Sequence, residues 1–167
     1  MKKERVFLVG FMGAGKSTVG RLLATRLGCD FIDLDQEIEE SEARSIRELF
    51  ETEGEEYFRN LEMMALTSLR ERSGCVVALG GGAFVNQSNR ETIHELGVSV
   101  FLDCPLKIIM DRCSLGATRP LFKSRERIKE LYDFRLPFYH KSDLCINVEN
   151  LTPEEISNSI FIKITNL

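Results

Sequence analysis

Gly10-Phe11-Met12-Gly13-Ala14-Gly15-Lys16-Ser17 is the segment that decides the fold of this chain. It matches the pattern glycine, any four residues, glycine, lysine, then serine or threonine, which binds phosphate when it joins a strand to a helix. The apolar run 6–9 precedes the segment, and apolar side chains at helical spacing follow it over residues 16–27. This context predicts a loop whose amides, together with a helix N-terminus, converge on an anion.

Each part of this loop suits a different contact with a nucleotide. The glycines let the backbone approach phosphates, and Lys16 can reach the β- and γ-phosphates. The hydroxyl of Ser17 can complete the octahedral shell of a Mg²⁺ ion that bridges those phosphates. A plain glycine-rich turn that starts a helix is the weaker alternative, because the full pattern stands in its expected context. The predicted nucleotide-binding residues of the loop are Gly13, Ala14, Gly15, Lys16, Ser17 and Thr18.

Short apolar runs bounded by turn signals recur along the rest of the chain, at 30–32, 75–79, 98–102 and 144–148. Longer segments with helical spacing separate them, and this alternation predicts an α/β fold with a central parallel sheet of about five strands covered by helices on both faces. Two capping patterns mark helix starts, Ser45 with Glu48 and Thr152 with Glu155. Glycine and proline interrupt the helical spacing at about 113–123, where we expect a mobile lid.

Composition narrows the class of protein. A chain of 167 residues with 43% hydrophobic content is long enough for one core, so we expect a single domain over 1–167. The formal net charge of −4 argues against nucleic acid as a partner, and no apolar run is long enough to cross a membrane. The five scattered cysteines lack metal or redox spacing, which favours buried small side chains in a reducing, cytoplasmic setting. A monomer is the expectation by default.

Asp33 and Asp35 stand two residues apart after the run 30–32. On an extended strand end, both carboxylates would point to the same side and face the phosphate loop. A carboxylate there can hold Mg²⁺ or its water, and a second one can accept a hydrogen bond from a substrate hydroxyl. The alternative is that one or both simply cap the following helix.

Basic side chains and a glycine triplet supply further candidates. Arg59 stands three residues before Glu62 in a helical segment, so it can be either an anion ligand or half of a surface ion pair. Glycines 80–82 follow the run 75–79, where they can expose backbone to a ligand or form an ordinary turn. Three arginines lie near or in the predicted lid and in the helix after it, and without further information each is an ordinary surface charge: Arg112, Arg119 and Arg135.

Five segments form a recognisable series: the phosphate loop, Phe31-Ile32-Asp33-Leu34-Asp35, Phe58-Arg59-Asn60-Leu61-Glu62, glycines 80–82 and Arg119-Pro120-Leu121. In order and spacing they resemble the shikimate kinase family over nearly the whole chain. The resemblance implies a three-layer P-loop kinase fold and an ATP-dependent, Mg²⁺-requiring enzyme. The reaction it implies is transfer of the γ-phosphoryl group of ATP to the 3-hydroxyl of shikimate, a small carboxylated polyol, which gives shikimate 3-phosphate and ADP.

The resemblance also implies roles for residues on the acceptor side of the site. Asp35 grips the hydroxyls of shikimate and is a candidate base, while Arg59 and Arg135 clamp its carboxylate through paired hydrogen bonds. Glycines 80–82 hold the acceptor, chiefly through Gly81. The region from about 33 to 61 is therefore the predicted substrate-binding region.

On the nucleotide side, the resemblance gives Asp33 the metal-side position beside Ser17. Arg112 packs on the adenine, and Arg119 moves in with the lid to neutralise charge on the transferred group. With Lys16 and Asp35, Arg119 completes the predicted catalytic set. The chain departs from many relatives after Tyr139, where it has His140 and Lys141 in place of an acidic residue.

Two competing functions stay open at this point. Another small-molecule kinase, such as a gluconate kinase, would share the phosphate loop and lid but not the cyclic-acid clamp. A non-catalytic ATP-binding module would be expected to have lost residues such as Lys16, Asp35 or Arg119, which are all present.

Overall fold

The computed structural model describes residues 5–114 and 125–167. Within them, five strands form one fully parallel sheet in the order β2-β3-β1-β4-β5. The predicted α/β class and strand number are confirmed, and each predicted run coincides with a strand, although residues 79 and 148 lie one position past the ends of theirs. The strands are β1 (Arg5–Val9), β2 (Asp30–Asp33), β3 (Cys75–Ala78), β4 (Gly97–Asp103) and β5 (Leu144–Asn147).

Eight α-helices connect and cover these strands in the described part of the chain. Two short 3-10 turns, Leu69–Glu71 and Ala83–Val85, lie before and after β3. None of the described helices is long and apolar enough to cross a membrane. The helices are α1 (Lys16–Leu27), α2 (Leu34–Glu42), α3 (Ile46–Thr52), α4 (Glu55–Ser68), α5 (Gln87–Leu96), α6 (Leu106–Ser114), α7 (Arg125–Tyr139) and α8 (Pro153–Thr165).

The sheet forms the centre of the main core. Successive residues of β3 and β4 are buried on both faces, as expected for a parallel sheet between two layers of helices. A smaller apolar cluster of Ile38, Leu49 and Phe58 joins α2, α3 and α4 beside the main core. This second cluster supports one wall of the site described below.

Local sequence signals place several helix ends. Ser45 and Thr152 each accept a hydrogen bond from the backbone of a glutamate three residues on, forming the predicted capping boxes of α3 and α8. Among the cysteines, Cys75 and Cys104 are buried as expected, but Cys145 is exposed. The prediction of burial is wrong for Cys145 because β5 is an edge strand, whose alternate side chains face solvent.

All functional candidates in the described residues cluster at the carboxyl edge of the sheet. The phosphate loop follows β1, Asp33 ends β2, and glycines 80–82 follow β3. The chain passes from β1 to β2 and β3 on one side, then to β4 on the other, so the strand order reverses beside β1. Open parallel sheets bind ligands at such a reversal.

Candidate active site

The phosphate loop is shaped by glycines that adopt backbone angles other residues avoid. Gly13 and Gly15 have φ values of 78° and 96°, and Gly15 is the residue that precedes α1. The first turn of α1 contains no acidic side chain, so its free amides and the positive end of its dipole stay available to an anion. The Nζ of Lys16 donates to the carbonyl oxygens of Gly10 and Phe11 at 2.7 and 3.0 Å, which holds the ammonium group over the loop.

Ser17 and Asp33 meet at the edge of this loop. The Ser17 hydroxyl donates to Oδ2 of Asp33 at 2.7 Å, and Oδ1 of Asp33 accepts the backbone amide of Gln36 at 3.4 Å. Asp33 can therefore cap α2 and also stand beside a metal ion, because one of its carboxylate oxygens caps the helix while the other bonds to Ser17. A hydroxyl and a carboxylate side by side are the hard oxygen donors that Mg²⁺ prefers.

Asp35 occupies a different backbone position from the one predicted. The chain leaves the extended conformation at Leu34, so Asp35 stands in the first turn of α2 rather than on a strand end. Asp35 does not lie on an extended strand end as predicted, because Asp33 caps a helix immediately after β2. The half-buried carboxylate of Asp35 nevertheless lines the same cavity as Asp33, and it lies against Gly80.

Arg59 on α4 is held by two carboxylates. Its Nη1 donates to Glu62 at 2.5 Å, and its Nη2 donates to Glu55 at 3.1 Å. Only 1% of the Glu62 side chain is exposed, compared with 26% for Arg59. Burial by itself would lower the pKa of Arg59, but the two carboxylates outweigh that effect and raise it. Burial raises the pKa of Glu62 in turn, although Arg59 opposes the change. Arg59 thus belongs to an ion pair and also lines the cavity.

Arg135 approaches the same cavity from α7. It is only 6% exposed, and its guanidinium carbon lies 5.7 Å from the centre of the Phe11 ring in the phosphate loop. A buried guanidinium over an aromatic face is held in place without losing its hydrogen-bond donors. The surface-charge alternative is therefore wrong for Arg135.

Glycines 80–82 are required by close contacts rather than by backbone angles. None of them has a positive φ, so the turn they form does not itself demand glycine. A Cβ on Gly80 would lie 2.5 Å from Oδ1 of Asp35, and one on Gly81 would lie 2.9 Å from Nη1 of Arg135. A Cβ on Gly82 would lie 2.6 Å from both terminal nitrogens of Arg59. Each glycine makes room for one of the predicted substrate ligands.

These groups surround one cavity of about 590 Å³. Its wall also includes three apolar side chains that were not among the predicted site residues, Met12, Phe50 and Phe58. The Phe-Arg-Asn-Leu-Glu segment was a usable signal for Phe58, whereas nothing local marks Phe50. The predicted residues that line the cavity are Asp33, Asp35, Arg59, Gly80, Gly81, Gly82 and Arg135.

Arg112 contacts the phosphate loop from α6 and is not among the residues that line this cavity. Its Nη1 donates to the carbonyl oxygen of Gly13 at 2.8 Å, and its side chain is exposed on α6. The position suits a contact with the base or ribose of a loop-bound nucleotide. Arg119 and residues 115–123 of the predicted lid lie outside the described residues.

The chain is similar to known shikimate kinases over almost its full length. The shikimate kinase family model matches residues 12–165. A shikimate kinase of Persephonella marina is 42% identical over 162 residues, covering 96% of this chain and 99% of the relative. One from Ruegeria pomeroyi is 45% identical over 146 residues, covering 86% of this chain and 75% of the relative.

Solved structures give the same result. A shikimate kinase from Acinetobacter baumannii, in complex with shikimate, superposes with a TM-score of 0.92 at 35% identity, covering 98% of this chain and 93% of that one. A gluconokinase from Sinorhizobium meliloti reaches a TM-score of 0.67 at 19% identity, with 99% and 93% coverage. At that identity the second likeness extends to the fold alone.

Proposed function

Because the chain belongs to the shikimate kinase family, its function is the ATP-dependent phosphorylation of shikimate, and we propose that the acceptor binds in the cavity beside the phosphate loop. The observation that carries this assignment is the convergence of Arg59 and Arg135 on one cavity from two helices. Two guanidinium groups across a small cavity match a carboxylate, which accepts paired hydrogen bonds from each. A neutral sugar would supply no negative charge to either arginine.

The remaining cavity groups fit the rest of the acceptor. The backbone of glycines 80–82 offers polar groups between the two arginines, without side chains that would exclude a ring. We propose that Asp35 accepts a hydrogen bond from the hydroxyl that reacts. Phe50 and Phe58 supply an apolar wall for the carbon skeleton.

The donor phosphates belong on the other side, over the phosphate loop. We propose that the loop amides of residues 13–18 and the N-terminus of α1 bind the phosphates of ATP. The ammonium group of Lys16 would then exchange its loop carbonyl partners for phosphate oxygens. Arg112 is the proposed adenine-side contact, next to Gly13.

A kinase of this class implies a divalent metal ion, and the residues present fit Mg²⁺. Ser17 and Asp33 place a hydroxyl and a carboxylate oxygen 2.7 Å apart next to the loop. Within residues 5–114 and 125–167, no group of three or more acidic, histidine or cysteine side chains forms a cage. Few protein ligands are the usual case for Mg²⁺ in kinases, where water and phosphates fill the other positions. When bound, the ion would offset negative charge on the phosphates.

The transfer itself needs alignment and charge stabilisation more than covalent help. The 3-hydroxyl oxygen forms a bond to the γ-phosphorus as the bond to the bridging oxygen of ADP breaks. In our proposal Asp35 takes the hydroxyl proton and Lys16 stabilises charge on the phosphoryl oxygens. The assignment of Arg119 to the same transferring group rests on the sequence resemblance alone.

A coupled ADP-release assay tests the assignment by comparing shikimate, gluconate and no acceptor. We expect shikimate-dependent release, and Arg59→Lys should raise the KM for shikimate by about 10- to 100-fold, because lysine keeps a charge beside Glu62 but lacks the paired donors. Arg70→Lys is the matched control, since Arg70 forms a surface ion pair with Glu95 at 2.7 Å.

Release with gluconate alone would exclude the acceptor assignment. Release without dependence on either acceptor would favour a non-catalytic nucleotide-binding module. A cytoplasmic location and a monomeric state, both predicted from the sequence, stay predictions.

A further inference from the structure

Tyr139, the last residue of α7, connects that helix to the glycine segment of the cavity. Its hydroxyl donates to the carbonyl oxygen of Gly81 at 2.6 Å. The side chain is 1% exposed, and its ring lies 5.3 Å from the ring of Phe101 on β4. The ring of Tyr139 therefore packs against the sheet, while its hydroxyl bonds to the glycine segment.

The same helix carries Arg135, one turn before Tyr139. A Cβ built on Gly81 would lie 2.9 Å from Nη1 of Arg135 and 3.6 Å from the Tyr139 hydroxyl. Both side chains thus contact one point of the backbone from one face of α7. The bond from Tyr139 thus connects the Gly81 backbone to the helix that carries Arg135.

The hydroxyl is suited to a permanent donor role. Burial is the largest effect on it and raises the pKa of Tyr139 to about 12, so the group keeps its proton throughout the neutral range. The carbonyl of Gly81 accepts this hydrogen bond at a part-buried position beside the cavity. Other described anchors hold the segment that follows, because Asn89 donates to Ala83 and Arg90 to Phe84 and Val85.

We propose that Tyr139 is a positioning residue for shikimate binding, which holds Gly81 at the correct distance from Arg135. This inference rests on the proposed function, since it requires that Gly81 and Arg135 bind the acceptor. It concerns only the acceptor side, so the nucleotide side should be unaffected. Nothing in the bond requires Tyr139 to contact shikimate.

Tyr139→Phe tests the proposal, and Tyr132→Phe is its matched control. Both tyrosines are buried on α7, but the Tyr132 hydroxyl donates to the carbonyl of Cys104 at 3.2 Å, away from the cavity. We expect Tyr139→Phe to raise the KM for shikimate about tenfold, with the KM for ATP and the thermal midpoint close to those of Tyr132→Phe. Calorimetric titration with shikimate should show the same loss of affinity.

A shikimate KM that is equal in the two variants would overturn the proposal, as would equal increases in the KM for ATP and for shikimate in Tyr139→Phe. Failure of the proposed function looks different. In that case the wild type itself would not depend on shikimate, or Arg59→Lys would leave the shikimate KM unchanged.

Discussion

We expect Gly82→Ala to weaken the binding of the shikimate carboxylate by Arg59 without unfolding the protein. A Cβ at this position would lie 2.6 Å from both terminal nitrogens of Arg59, whereas ordinary contacts begin at about 3.4 Å. The guanidinium must therefore retreat by about 0.8 Å from its present place. It cannot do so freely, because it is hydrogen-bonded to Glu62 and Glu55.

The magnitude follows from the steep distance dependence of paired, charged hydrogen bonds. Losing one such bond costs about 1.5–3 kcal/mol, and a misplacement near 1 Å can cost about 100-fold in rate. We expect the KM for shikimate to rise by about 10- to 100-fold and the KM for ATP to stay the same. Gly82 has φ −97° and ψ −16°, angles that alanine adopts readily, so stability should change by less than about 1 kcal/mol.

Steady-state kinetics with both substrates varied, together with urea unfolding, measure these two effects separately. Gly74→Ala is the control, because its φ of +53° strains alanine while its Cβ would meet nothing within 4 Å. That variant should lose about 1 kcal/mol of stability and keep normal kinetics. A shikimate KM for Gly82→Ala within about twofold of the wild type would refute the reasoning, because it would mean that Arg59 is not a ligand.

Two further predictions address the metal site and the buried phenol. Ser17→Ala should raise the Mg²⁺ concentration needed for half-maximal activity by about tenfold, because it removes a hard oxygen next to Asp33. Ser68→Ala is the control, since the Ser68 hydroxyl bonds to a carbonyl of its own helix. Identical Mg²⁺ titrations of the two variants would contradict the proposed metal site. For Tyr139 the folded-state pKa of about 12 lies above its ordinary 10.0, so the folded state keeps the proton longer and stability falls as the pH rises between these values. Relative to Tyr139→Phe, the wild type should lose up to about 2.7 kcal/mol of unfolding free energy across that range, measured by urea unfolding, and a pH-independent difference would contradict the assigned burial.

Features that depend on near neighbours in the chain could be predicted from the sequence. Helix α1 begins at Lys16 and ends at Leu27, as its apolar spacing indicated, and the two capping boxes lie where Ser45 and Thr152 stand. The parallel sheet follows from the alternation of apolar runs with helical segments. The backbone position of Asp35 could not be predicted in this way. The helix cap at Asp33 ends the strand, so the alternation of side chains along a strand does not apply to Asp35.

Contacts between distant segments could not be read from the chain. The triplet 80–82 has no local need for glycine, and its reason is visible only where Asp35, Arg59 and Arg135 reach it from three helices. Arg59 and Glu62 show a related limit, because spacing gave their pairing as one of two alternatives and said nothing of the burial of Glu62. Burial is set by how α4 packs against the rest of the fold, which no property of the segment itself fixes.

The three glycines also explain how one short segment can organise the whole acceptor site. Side chains on α2, α4 and α7 each depend on their own helix for position, and small shifts of those helices would misalign them. Asp35, Arg59 and Arg135 each contact one residue of the same backbone segment, glycines 80–82. This segment follows β3, a buried interior strand, and so gives the three side chains one fixed surface to pack against. Tyr139 connects α7 to that segment by a hydrogen bond, whereas α4 meets it through the packing of Arg59 against Gly82 and of Glu62 against Gly80. The α7 side of the clamp should therefore tolerate helix movement less than the α4 side, and variants that loosen α7 should cost more acceptor affinity than equal loosening of α4.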